Sequence, residues 1–251
     1  MKTILMLVKY LLSFLLALSS SLAWAQKFDM SDAIIKTAHL RSTYFVKDAW
    51  FDSGLTFDEF LAAADKTKPV VIHSHGCSGK GDNEQLLKGF YTGLGFNFVM
   101  LDFLKRGDAG PSCTGGPNSG FTYFGDLRTR LPARVAEVMD HVDVLRAQGF
   151  KTLYVTGHSE GGMVVQRIKR DVDAAIVHSM SCVPMPPQSE PIHLKMLHLV
   201  SMNDPLLGRG ASHMVCTDRQ NYTAAVSQVP SHGALADPAW RGKIKEFLGV
   251  N

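Results

Sequence analysis

Six residues in the middle of the chain, Gly157-His158-Ser159-Glu160-Gly161-Gly162, constrain its fold more than any other stretch. They match G-x-S-x-G. The apolar run Leu153-Tyr154-Val155 leads in, and the helix-compatible Met163-Val164-Val165-Gln166-Arg167-Ile168 follows. This order predicts a strand, a sharp turn and a helix, with the serine at the turn. Such a turn strains the serine backbone and lifts its hydroxyl above the sheet. The flanking backbone must then pass closer than a side chain allows, hence the glycines.

The first 25 residues are read as a secretory leader. Lys2 and Lys9 form a basic region, Leu11 to Leu18 an apolar one, and Ala23-Trp24-Ala25 a cleavage site, so the mature chain is expected from about Gln26. Lys9 and Ser13 interrupt the apolar stretch, so a stable membrane anchor is not expected. No cysteine follows the cleavage site, so neither is a lipid anchor. The expected location is the periplasm or the medium. Loss of the leader removes two lysines and no acid, taking the formal charge from +3 to +1. That balance gives no support for a nucleic-acid partner. Residues 26–251 suit a single domain with a sizeable core.

Along the mature chain there is no repeat and no low-complexity segment. Ser42 to Val46 reads as a strand, and Thr56 to Ala64 as a short helix capped by Thr56 with Glu59 three residues on. Val70 to His73 is an apolar run. Asp82, with Gln85 after it, opens a helix ending near Gly93-Leu94-Gly95, and Phe96 to Phe103 is a second buried strand. A long amphipathic helix carries Leu131, Val135, Val138, Met139, Val142 and Leu145, with Pro132 in its first turn and Gly149 at its end. Strands at 153–155, 174–177 and 196–200 follow, then a last helix from Asp237-Pro238 to about Leu248. Continuously apolar strands alternating with helices predict an α/β fold, a mostly parallel sheet covered on both faces.

A serine hydroxyl is a poor nucleophile at neutral pH. It needs a base to take its proton and an acid to orient that base. Asp204 follows the strand at 196–200, in Ser201-Met202-Asn203-Asp204-Pro205. His232 lies in Val229-Pro230-Ser231-His232-Gly233, ahead of the last helix. Both fall on the rim where parallel sheets place their sites. Asn-Asp-Pro is also a turn signal, and a loop histidine is often only solvated. Asp218 and Glu190 are rival acids, placed too late and too early. His213 is a rival base, too near the acid-bearing loop. His158 is expected to pack inside the turn. Glu160 reads as a structural ion-pair partner, or as a group that tunes the site. His73-Ser74-His75 alternates histidines as some zinc sites do, but no third ligand follows at a plausible spacing, so no metal is expected.

The elbow at Ser159, with Asp204 and His232 after it in that order and His75-Gly76 upstream, resembles the α/β-hydrolase superfamily. The compact size and Gly-His-Ser-Glu-Gly-Gly are most similar to its dienelactone-hydrolase-like branch and related exported esterases. The resemblance covers Pro69 to the C-terminus. It implies a Ser159–His232–Asp204 triad. It also implies an oxyanion hole made by the backbone N–H groups of Glu160 and of Cys77, in the loop His73 to Gly79. Dienelactone hydrolases use a cysteine nucleophile where this chain has Ser159, which favours ordinary ester chemistry. Val183 to Lys195 is too short for a large lid. Four cysteines in an exported chain allow three disulfide pairings. In this topology the loops after the strands ending at His73 and Phe103 are neighbours, as are those after the strands ending near Val177 and Val200. The resemblance therefore implies Cys77–Cys113 and Cys182–Cys216. That leaves Cys77 in a staple rather than as a second nucleophile.

The expectation is a lidless, exported serine esterase that takes small or soluble ester substrates and needs no cofactor. Its oligomeric state is open. Two alternatives stand: a peptidase or amidase on the same triad, and a binding protein that kept the fold and lost turnover.

Overall fold

The structure is a computed structural model, and it describes residues 38–46, 54–106, 111–115, 122–123, 127–169, 171–182, 194–207 and 221–250. The expected leader, Asp218, Glu190, His213 and Cys216 lie outside them. The described residues belong to the unit Ala38–Asn251. Among them no helix is long and apolar enough to cross a membrane.

Nine strands and five α-helices are described. The main sheet contains β1 (Thr43–Phe45), β2 (Val70–Ser74), β3 (Asn97–Met100), β6 (Leu153–His158), β7 (Ala174–His178), β8 (Met196–Ser201) and β9 (Tyr222–Ser227). Their spatial order is β1-β3-β2-β6-β7-β8-β9. Only β1 is antiparallel, and the other neighbours run parallel. A small hairpin pairs β4 (Cys113–Thr114) with β5 (Thr122–Tyr123).

Side chains alternate between two cores. Val70, Ile72, Val155 and Val177 face one core, closed by helices α1 (Phe57–Ala63), α3 (Leu127–Ala147) and α4 (Glu160–Val165). Val71, Phe98, Ile176 and Leu199 face the other, closed by α2 (Asp82–Gly93) and α5 (Ala239–Leu248) through Leu87, Tyr91, Trp240 and Ile244. Strands β2, β6, β7 and β8 are buried on both faces along almost their whole length. Water reaches neither face, so their sequences are continuously apolar rather than alternating. Registers place Ser74 opposite Gly157, and His158 opposite His178, at one rim of the sheet.

Several boundaries differ from the sequence expectation. Helix α1 begins as expected: Glu59 N–H donates to Thr56 Oγ1 and Thr56 N–H to Glu59 Oε2, the reciprocal cap that Thr-x-x-Glu encodes. Helix α2 is instead capped at Gly81, whose N–H donates to Glu84 Oε2 at 2.8 Å, so the reaching carboxylate is Glu84 and not Gln85. Helix α3 starts at Leu127, which puts Pro132 one turn inside it rather than in its first turn. It closes at Gly149 with φ +92°, a left-handed conformation that glycine adopts without strain. Strand β3 stops at Met100, and Phe103–Arg106 is a 3₁₀ turn. Strand β9 has no counterpart in the sequence reading.

Candidate active site

Ser159 follows the last residue of β6 and is the N-cap of α4, with φ 53° and ψ −121°. Left-handed backbone is rare for a residue with a Cβ and costs of order 1–3 kcal/mol, so the surroundings must enforce it. They do so by close backbone packing. A Cβ at Gly157 would stand 2.2 Å from the Gly161 carbonyl oxygen, and one at Gly162 would stand 2.9 Å from Met180 Cβ. Ser159 N–H donates to the His178 carbonyl at 3.0 Å, which ties the turn to β7.

Asp204 and His232 arrive from the neighbouring rim. The loops after β8 and β9 are stitched together: Met202 N–H donates to the Ser227 carbonyl at 2.9 Å, and Ser201 Oγ donates to that of Val229. Asp204 is 1% exposed. Its Oδ1 accepts the Leu206 and Leu207 N–H groups at 2.8 and 3.1 Å, and its Oδ2 lies 2.7 Å from His232 Nδ1. Turn residue and imidazole partner, alternatives in the sequence, are thus one residue using its two oxygens. The carboxylate only accepts, so His232 Nδ1 carries the proton and Nε2 presents its lone pair. His232 Nε2 is buried and, among the described residues, makes no hydrogen bond, to Ser159 Oγ included.

Ser159 and His232 line one cavity of about 250 Å³, together with Cys77, Cys113, His158 and Asn83. Cys77 and Cys113 form the expected disulfide. Cys182 is also disulfide-bonded, and its expected partner Cys216 lies outside the described residues.

Behind the turn, Glu160 is 3% exposed and Arg134 1% exposed. Arg134 Nη1 donates to Glu160 Oε1, and Ser112 Oγ donates to Oε2 at 2.5 Å. Arg134 Nη2 reaches the His75 carbonyl and, at 3.2 Å, Ser74 Oγ. The guanidinium lies 4.2 Å from the centre of the Phe103 ring. Burial pushes the Glu160 carboxyl up, but Arg134 and Ser112 more than offset this and hold it below the usual range. Glu160 is thus a buried ion-pair partner of Arg134. Ser112 N–H also donates to the Cys77 carbonyl at 2.9 Å. This network joins the Cys77 loop, the Cys113 loop and the residue after Ser159.

His73 and His75 are fully buried. His75 Nδ1 lies 2.6 Å from the Gly76 carbonyl, and burial followed by Arg134 lowers its pKa to about 3. His73 stacks on Phe98 and faces Glu84 at 3.9 Å.

The sequence reading missed Arg134, Ser112 and Glu84. Arg134 did leave a signal. It sits three residues after Leu131 and four before Val138, on the apolar stripe of α3. A charge on that stripe has to find a buried partner.

No protein-family model and no curated protein matches the chain by sequence. Solved structures do resemble it. A lidless α/β serine hydrolase from Xanthomonas campestris is 15% identical with a TM-score of 0.57, over 83% of this chain and 87% of that one. Est1E from Butyrivibrio proteoclasticus with bound ferulic acid is 14% identical with a TM-score of 0.54, over 82% and 93%. The Pyrococcus furiosus esterase Pf2001 is 16% identical with a TM-score of 0.53, over 74% and 83%. The chain has the α/β-hydrolase fold.

Proposed function

We propose that this protein is an exported serine hydrolase that cleaves carboxylic esters of small or soluble substrates. The observation that carries the reading is the position of His232. One ring nitrogen is held by buried Asp204 at 2.7 Å, and the other is unpartnered in the cavity that Ser159 lines.

Ser159 Oγ attacks the acyl carbon and its proton passes to His232 Nε2. Asp204 keeps the Nδ1–H tautomer and stabilises the imidazolium. The carbonyl oxygen becomes an oxyanion, held by the backbone N–H groups of Glu160 and Cys77. Gly76 N–H already donates to Glu84 at 3.3 Å, which favours position 77 as the donor in that loop. Collapse breaks the bond to the alcohol oxygen, which takes the proton from Nε2. Water then repeats the sequence, with His232 accepting its proton, and the acid leaves Ser159. Likeness to structures described as esterases supports ester over amide chemistry. The cavity volume favours short acyl groups. Disulfide bonding at Cys77, Cys113 and Cys182 supports an oxidising location.

Hydrolysis of activated short-chain esters by the mature protein tests this. Ser159→Ala should lower kcat by roughly 10⁴-fold or more, and a fluorophosphonate should label the wild type at Ser159 alone. Wild-type turnover by Ser159→Ala sinks the proposal. The mass of the exported protein should correspond to a start near Gln26.

A further inference from the structure

Glu84 does more than cap α2. Its Oε2 makes the cap to Gly81, but Oε1 points inward and the residue is 3% exposed. Oε1 accepts Gly76 N–H at 3.3 Å, beside the proposed oxyanion donor. It also lies 3.5 Å from His158 Nδ1 and 3.9 Å from His73 Nε2. A carboxylate is costly to bury, and capping alone does not require it, since first-turn caps usually face water.

His158 continues the connection. Its Nε2 lies 2.8 Å from the carbonyl oxygen of His232. A carbonyl only accepts, so Nε2 carries the hydrogen and donates it. With that nitrogen committed, Nδ1 faces Glu84 Oε1 at 3.5 Å as an ion-pair contact and not a hydrogen bond, and the carboxylate draws the ring when Nδ1 also carries a hydrogen. His158 immediately precedes Ser159, and the bond therefore runs from the residue before the nucleophile to the backbone of the base.

The same loop is gripped three times more. Ser179 Oγ donates to the Gly233 carbonyl at 3.0 Å, and His178 Nδ1 lies 2.6 Å from that of Ala234. Asn83, next to Glu84, accepts the Ala234 N–H at 2.9 Å. Three successive carbonyls, 232 to 234, are each held by a side chain from the end of β6 or β7.

We propose that Glu84 and His158 form a positioning relay. One carboxylate fixes the oxyanion loop at Gly76 and orients His158, which holds the His232 backbone in register with Ser159. The relay rests on the reading of Ser159, His232 and Asp204 as the reacting groups. Glu84 stands outside the cavity lining, and His158, which lines the cavity, acts through the His232 backbone. Their effect is on geometry, so they should alter kcat rather than KM.

The test uses the mature protein and a short-chain nitrophenyl ester. His158→Leu, which removes the donor, should lower kcat about 10- to 100-fold with KM within about threefold. His158→Gln, whose amide nitrogen reaches the same place, should recover most of that loss. Glu84→Gln, whose single carbonyl oxygen can accept from Gly76 or from Gly81 but not from both and which removes the charge, should fall between them. The low-field proton resonance of His232 Nδ1–H should broaden or move in His158→Leu and stay in place in His158→Gln. A folded His158→Leu with wild-type kcat overturns the relay, as does a Gln variant no better than Leu. Should His158→Leu fail to fold, Glu84→Gln decides alone, and unchanged kcat there overturns the proposal. Wild-type labelling by a fluorophosphonate separates the two levels. A wild type that is neither labelled nor active removes the hydrolase reading and the relay with it. A labelled, active wild type with indifferent variants removes the relay only.

Discussion

Gly161 passes Ser74 so closely that a Cβ at position 161 would stand 1.9 Å from the Ser74 carbonyl oxygen. The obstacle is backbone on a central strand, which cannot rotate away. Gly161→Ala should therefore cost about 3 kcal/mol or more. Gly89, in the interior of α2, has nothing within 4 Å of such a Cβ. Gly89→Ala should stabilise by about 0.5–1 kcal/mol, since it only reduces the freedom of the unfolded chain. Urea unfolding of the two variants beside the wild type checks both signs.

The Arg134–Glu160 pair should behave as a buried pair rather than a surface one. Arg134→Met removes the nearer guanidinium from an almost fully enclosed carboxylate, with Arg130 Nε standing 4.0 Å from the same oxygen, at a cost of about 3–5 kcal/mol. Arg134→Met combined with Glu160→Gln should recover a large part of that. A double-mutant cycle by urea unfolding measures the coupling.

The Cys77–Cys113 bridge spans a sequence separation of 36 residues. Closing a loop of that length in the unfolded chain is worth about 4 kcal/mol in the entropic description. The double variant Cys77→Ala/Cys113→Ala should lose about that much stability. The variant keeps the backbone N–H of residue 77, the proposed oxyanion donor, but frees the loop that places it, so kcat should fall while KM changes little. Thermal unfolding and steady-state kinetics on the same sample read the two effects.

Acid should destabilise the fold well before its carboxylates titrate. Burial lowers the pKa values of His75, His141 and His178 to about 3. In the unfolded chain they return to about 6.5. Between those limits the unfolded state binds more protons, so stability is at its plateau above about pH 6.5 and falls as pH drops towards 3. Glu84 and Glu160, held below their ordinary values, add a further loss below about pH 4.5. Burial lowers the His73 pKa as well, so calorimetry at pH 5 in buffers of different ionisation enthalpy should show uptake of about three protons or more on unfolding. His141→Gln should reduce it by about one.

The central strands were legible because burial on both faces leaves no room for alternation, as Val70-Val71-Ile72 and Ala174-Ala175-Ile176-Val177 illustrate. Strand β9 was not. Among the described residues it is an edge strand, largely exposed, and its apolar run is only the short Ala224-Ala225-Val226. Among the same residues it pairs with β8. Ser159, Asp204 and His232 could be placed because chain order and strand ends restrict where such groups fall. Glu84 and His178 could not. Their roles depend on partners such as His158 and Ala234, which only the folded sheet brings near.

The left-handed backbone at Ser159 bears on how such a chain persists. Glycine would relieve that conformation, so Ser159→Gly should be the more stable protein. Drift towards stability alone would then erode this position first. A lineage that had no use for the hydroxyl would have an easy exit, one substitution away and downhill. At this one residue, then, the hydroxyl and the stability of the fold pull in opposite directions.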